Sequence, residues 1–187
     1  MIAKVSISCG YQLRRSMYDQ SVIVFERYLK RLSAMMNRLE TFADTASKQK
    51  AILQTSLAPN MFPLVQQVRT TISFSLRTCY PLAGLEIPEI ESREDTIADL
   101  RRQIKEAGRY LQALPANDFA TAAEREIVTK AGFKELRLDG ETFLTQYALP
   151  NFFFHLSMVY AILRYCGAPV GKGDFDGFHE YPPGFAF

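Results

Sequence analysis

Two polar residues interrupt the most apolar stretch of this chain: Asn151 and His155, set among Leu149, Phe152, Phe153, Phe154 and Leu156. Four residues apart, they share one helix face, one turn above the other. Burying a carboxamide and an imidazole there without partners would cost about 1–3 kcal/mol apiece, so facing helices must supply hydrogen bonds. Gln67 and Tyr18 fall on or beside the apolar stripes of two other segments and are the candidate partners; Tyr160, further along the same helix, joins them as a pocket residue. The chemistry such a group offers is proton transfer by His155 near neutral pH, at the floor of a pocket between helices. A structural role is equally written in these residues: a core histidine satisfied by Gln67 or a tyrosine hydroxyl, an Asn151 that caps a helix resumed after Pro150, and phenylalanines that simply pack.

Other short patterns do not hold up. Gly167 to Gly173 has a lysine among glycines but lacks phosphate-loop spacing and the following Ser or Thr. Asp174 to Gly177 starts like a calcium loop without its remaining ligands. His179, beside Glu180, reads as a surface histidine in a tail, and Cys79 and Cys166 read as buried, inert thiols. The three cysteines have no zinc spacing, and their odd number fits a reducing compartment. The 22 basic residues are scattered and nearly balanced by 20 acidic ones, which argues against nucleic acid or an anionic membrane as partner. No apolar run reaches the roughly 18 residues of a membrane span, and residues 1–6 are too short an apolar stretch for a signal peptide. A cytoplasmic protein is the expectation.

The elements that must position His155 follow from periodicity. Residues 16–43 carry Tyr18, Val22, Phe25, Leu29, Leu32, Met36 and Leu39 at alternating spacings of four and three, the seam of a long helix. Tyr28, Met35 and Phe42 lie beside that seam as surplus apolar surface, from which a homodimer through helix faces is expected. Residues 48–57 form a short accessory helix. A second long helix starts near Asn60 as N-cap, with Pro63 in its first turn, and runs to Gly84. Ser92 and Asp95 read as a capping box for a third, whose seam is Ile97, Leu100, Ile104, Ala107, Leu111 and Leu114, closed by Pro115. Short segments at 124–129 and 133–138 around Gly132 read as a β-hairpin. The last long helix covers 142–166, broken or kinked at Leu149-Pro150. Beyond Val170 the tail reads as irregular, pinned by Phe175, Phe178, Tyr181 and Phe185. The reading is an all-α single domain over 1–187, with its core at 16–175 and an aromatic, glycine-rich tail at 176–187: a four-helix bundle with a small β-hairpin inserted before the last helix.

Together, the segments 57–67 (LAPNMFPLVQQ), 149–155 (LPNFFFH), 160–164 (YAILR) and 170–175 (VGKGDF) resemble an uncharacterised family of the DinB/YfiT-like superfamily, over residues 16–175. The resemblance implies an up-down-down-up four-helix bundle that pairs as a homodimer. It also implies kinship with metal-binding proteins, some of them thiol-dependent transferases or isomerases. Their site is three histidines, one on the second helix and two spaced i, i+4 on the fourth. His155 matches the last of these; Asn151 stands where the other fourth-helix histidine would be, and Gln67 lies near the second-helix position. Carboxamides are poor ligands for zinc or nickel, so no tightly bound metal and no other cofactor is expected, only weak divalent-metal binding. The leading expectation is a protein that binds or modifies a small molecule over Gln67, Asn151 and His155. A non-catalytic dimeric binding or scaffold protein, and a metal- or thiol-dependent transferase, are the alternatives.

Overall fold

The computed structural model describes residues 16–182; Cys9 and Phe185 lie outside them. Ser16 and Asp19 bond reciprocally, Asp19 N–H to Ser16 Oγ and Ser16 N–H to Asp19 Oδ2 (3.1 and 3.3 Å), and a π-helical stretch, Asp19–Ile23, runs into α1, Val24–Phe42. The expected seam is the buried face: Val22, Phe25, Leu29, Leu32, Met36 and Leu39 are all shielded. The surplus apolar residues beside it are not free, however. Met35 is fully buried, Tyr28 packs edge-on against Phe152 and Phe153, and the Lys48 ammonium sits 4.1 Å from the centre of the Phe42 ring. Met35 is thus fully covered, and Tyr28 and Phe42 partly covered, by contacts within the chain.

Helix α2, Ala46–Leu53, is capped by Thr45. Helix α3, Leu64–Ala83, begins three residues later than expected, with Pro63 and not Asn60 as its N-cap. The reason is steric: a residue preceding proline is pushed out of the helical region, which excludes Phe62 and leaves 54–63 as a loop tied back by Leu64 N–H to the Thr55 carbonyl (2.9 Å). Gly84, at φ 76°, ends α3 in the left-handed conformation that glycine adopts without penalty. Helix α4, Ile97–Gln112, is capped by Thr96, whose hydroxyl accepts from Asp99 N–H (3.1 Å). Ser92 and Asp95 therefore belong to the connector and not to a capping box.

Strands β1, Glu126–Ala131, and β2, Lys134–Asp139, pair antiparallel from Glu126 opposite Asp139 to Ala131 opposite Lys134. Helical structure then resumes at Gly140–Thr142, passes through a π-helical stretch, Phe143–Ala148, and continues without interruption as α5, Leu149–Tyr165. Leu149-Pro150 thus neither breaks nor ends the helix. Pro150 sits in the first turn after the wider π register, where the mismatch of a missing amide is absorbed. The tail is more regular than expected, forming a short α6, Lys172–Asp176. It is strapped to α1 by Arg38 to Asp174 (2.7 Å), by Arg27 Nη2 to the Asp176 carbonyl (2.7 Å) and by the Arg27 guanidinium lying 3.8 Å from the centre of the Phe178 ring. Phe175 packs against Tyr28 and Tyr160.

The molecule is thus mostly helical with one small hairpin. Helix α3 lies between α4 and α5, and α1 closes the core by packing on α4. Among the described residues no helix is long and apolar enough to cross a membrane.

Candidate functional site

His155 emerges from α5 toward α3, where its Nδ1 lies 2.8 Å from Gln67 Oε1. The Gln67 amide nitrogen donates to the Phe62 carbonyl (3.3 Å), so its oxygen is the acceptor and the neutral imidazole carries its proton on Nδ1. Nε2 is then a lone-pair acceptor, and among the described residues nothing bonds to it. Burial pushes the His155 pKa below its ordinary value, because removing water disfavours the imidazolium.

Aromatic rings surround this imidazole. Phe62 and Phe74 lie nearly parallel to it, with centroids 6.3 and 5.7 Å away, and Phe154 meets it edge-on at 5.2 Å. Phe74 is buried and carries the Arg77 guanidinium 5.1 Å from its ring centre. Phe62 and Phe154 are 51% and 53% exposed, so His155 (9% exposed) lies close to the surface beside two half-exposed phenyl rings. Phe62 reaches this position because Pro63 keeps it out of α3. The exposed rings are what the sequence reading missed. The one available signal was the Phe-Pro pair ahead of the Gln67 helix.

The other expected pocket residues bond or pack with different partners. Asn151 donates to the Tyr147 carbonyl (2.7 Å), a bond to the preceding turn of its own helix, and neither caps a new helix nor bonds Gln67 or His155. Tyr18 packs edge-on against Phe119 at 5.4 Å, and burial followed by the nearby Glu26 and Asp19 carboxylates pushes its hydroxyl pKa up. Tyr160 lies against Phe175 at 5.8 Å. The structure therefore joins Gln67 with His155, but not with Asn151, Tyr18 or Tyr160, through hydrogen bonds. Cys79 is a buried free thiol whose pKa desolvation raises, and Cys166 is free and half-buried.

This donor set does not fit a transition metal. One ring nitrogen of His155 is engaged by Gln67, both carboxamide NH2 groups donate to backbone carbonyls, and no three His, Cys, Asp or Glu side chains converge among the described residues. What the arrangement can do is accept a hydrogen bond, or a proton, at Nε2 beside apolar rings.

A second polar centre lies on the far side of α3. Asp99, almost fully buried, accepts from Arg93 N–H, Glu94 N–H, Gln103 Nε2 and Arg102 Nε at 3.2, 3.4, 2.7 and 2.9 Å. Burial alone would raise its pKa, but the bonds from Arg102, Gln103 and the two backbone amides prevail and hold it at about 2. Two grooves also open on the surface. One of about 960 Å³ separates α3 from the connector at 87–92 and has Phe62 on its wall; the other, of about 380 Å³, lies between α1 and α4.

In fold the chain is DinB-like. It is similar to the crystal structure of a DinB family member protein from Shewanella denitrificans, at 32% identity and a TM-score of 0.78, covering 88% of this chain and 94% of that one. The chain belongs to the domain family of unknown function DUF1993, which matches residues 17–176. No curated protein matches it significantly.

Proposed function

We infer that the protein binds a small, planar, hydrogen-bond-donating molecule at the aromatic mouth over His155, without a tightly bound metal. The observation that carries this reading is Nε2: an acceptor without a partner among the described residues, held in one tautomer by Gln67 and set between the half-exposed Phe62 and Phe154. Natural sites of this kind combine apolar rings with a few polar groups of fixed orientation. Proton exchange with the bound molecule through Nε2 is the chemistry open to it. The framework is read as the up-down-down-up four-helix bundle, supported by the DinB-like neighbour and by α3 lying between α4 and α5. Cytoplasmic residence is part of the proposal, in keeping with free Cys79 and Cys166 thiols.

Phenol and indole, titrated into protein carrying 15N-labelled histidine, are expected to shift Nε2 of His155 saturably, and Phe62→Ala is expected to weaken the effect. Absence of any shift with either compound, in protein whose His155 signal is assigned, contradicts the proposal. Elemental analysis of protein purified without chelators is expected to give well under one transition-metal equivalent per chain; near-stoichiometric zinc, nickel or iron lost in His155→Ala contradicts the metal-free part.

A second reading rests on the same exposed rings. Phe62 and Phe154 would equally suit contact with a second copy of the chain, making the protein a non-catalytic homodimeric scaffold. Light scattering on wild type and on a Phe62→Ser/Phe154→Ser variant separates the two: a dimer that the variant dissociates favours the scaffold.

A further inference from the structure

The groove between α1 and α4 differs from the wider one beside α3 in how its polar side chains are used. In the wider groove Arg69 pairs with Asp95, Gln103 bonds Asp99, and Thr70 bonds the Gln66 carbonyl. In the α1–α4 groove Glu26, Lys30, Ser33, Lys105, Arg109 and Gln112 all line the space, and none of these side chains makes a hydrogen bond or ion pair among the described residues. Arg109 is unusual in this respect, since nearly every other described arginine is paired or hydrogen-bonded.

The arrangement follows from helix geometry. Lys105, Gly108, Arg109 and Gln112 are spaced three and four apart and share one face of α4, beside its buried seam. Glu26, Lys30 and Ser33 do the same on α1. The buried Leu29 and Ile104 form an apolar floor. A Cβ built at Gly108 meets nothing within 4 Å, so no neighbour requires glycine there. Glycine is a poor residue for a helix interior, and its effect here is to keep the groove open.

We propose that this groove is a binding site for a small organic phosphate, its phosphate held by Lys30, Lys105, Arg109 and the Ser33 hydroxyl and its apolar part lying on Leu29 and Ile104. Three cations against one carboxylate leave an excess of two positive charges, matched by a phosphate monoester carrying about −1.5 to −2 near neutral pH. The volume of about 380 Å³ suits a molecule of that size. The proposal does not depend on the His155 mouth, which lies on the α3–α5 side of the core.

The test uses phenyl phosphate and inorganic phosphate as probes, followed by calorimetry and by amide NMR. Phenyl phosphate is expected to bind saturably, with shifts confined to 26–33 and 105–112, and inorganic phosphate more weakly. Arg109→Gln and Lys105→Gln are each expected to weaken phenyl phosphate by about three- to tenfold, as for loss of one exposed charged contact. Gly108→Leu fills the groove and is expected to abolish binding with an unchanged or higher melting temperature, because leucine favours the helix more than glycine. Shifts that do not saturate, or that spread to lysines such as Lys50 and Lys134, mean diffuse charge attraction only and overturn the proposal. So does wild-type affinity in a folded Gly108→Leu.

Discussion

Asp99 and His155 are both polar side chains buried against α3, and they are treated in opposite ways. Asp99 accepts four hydrogen bonds, which draw the connector's Arg93 and Glu94 amides, Gln103 and Arg102 onto one carboxylate. Among the described residues His155 has a single polar partner, Gln67, and an unused nitrogen beside two half-exposed rings. A buried polar group with every bond satisfied serves the fold, because removing it strands several partners at once. One that is oriented but only half satisfied, close to solvent, gives up little stability when changed and keeps a free atom for another molecule.

The contrast is broken most easily at Asp99. Asp99→Ala is expected to cost about 2–4 kcal/mol in urea unfolding, by stranding Gln103, Arg102 and two backbone amides. Acid acts in the same direction. The folded carboxyl, at about 2, lies below its unfolded value near 3.9, so its contribution is complete above that value and is lost as the pH falls through the interval. Stability measured between pH 5 and about 2.5 should therefore decline less steeply in Asp99→Asn than in wild type.

Gln67→Ala comes next, at about 1–2 kcal/mol, since it leaves the His155 Nδ1–H without its acceptor. Phe62→Ala and Phe154→Ala should cost least, under about 1 kcal/mol, because both rings are already half in water. Equal losses at Phe62 and at the fully buried Phe152 would remove the distinction between mouth and core.

The sequence made the buried seams legible because apolar spacing is a direct projection of which helix face is covered: Val22 to Leu39 and Ile97 to Leu111 are buried as read. It was poorer at boundaries, where a few residues compete. Asn60 and Ser92 are good cap types, yet Pro63 and Thr96 hold those positions because the chain's path, through the Thr55 carbonyl and the Asp99 carboxylate, fixes where each helix starts. The candidate site was half legible. Gln67 and His155 were identifiable as polar residues on apolar faces, and they meet. Asn151 shares the His155 face, but its amide found a nearer acceptor in Tyr147, and nothing in a one-dimensional pattern decides between a local carbonyl and a distant partner. Tyr18 and Tyr160 lie on buried stripes that face Phe119 and Phe175.

The central claim, that His155 is an oriented but half-used group near solvent, is tested most directly by following its ring nitrogens by NMR from about pH 8 to about pH 5 in wild type, beside denaturant melts of His155→Gln. Because burial lowers the folded pKa, the unfolded chain binds the proton first; stability is complete above about 6.5 and erodes as the pH falls below it. The account predicts an imidazole that protonates reversibly below its ordinary value with the fold intact. It also predicts a His155→Gln variant within about 1 kcal/mol of wild type at neutral pH that has lost this part of the acid slope. An imidazole that never titrates across that range, together with a loss above about 2 kcal/mol in His155→Gln, would make His155 a sealed structural residue and contradict the account.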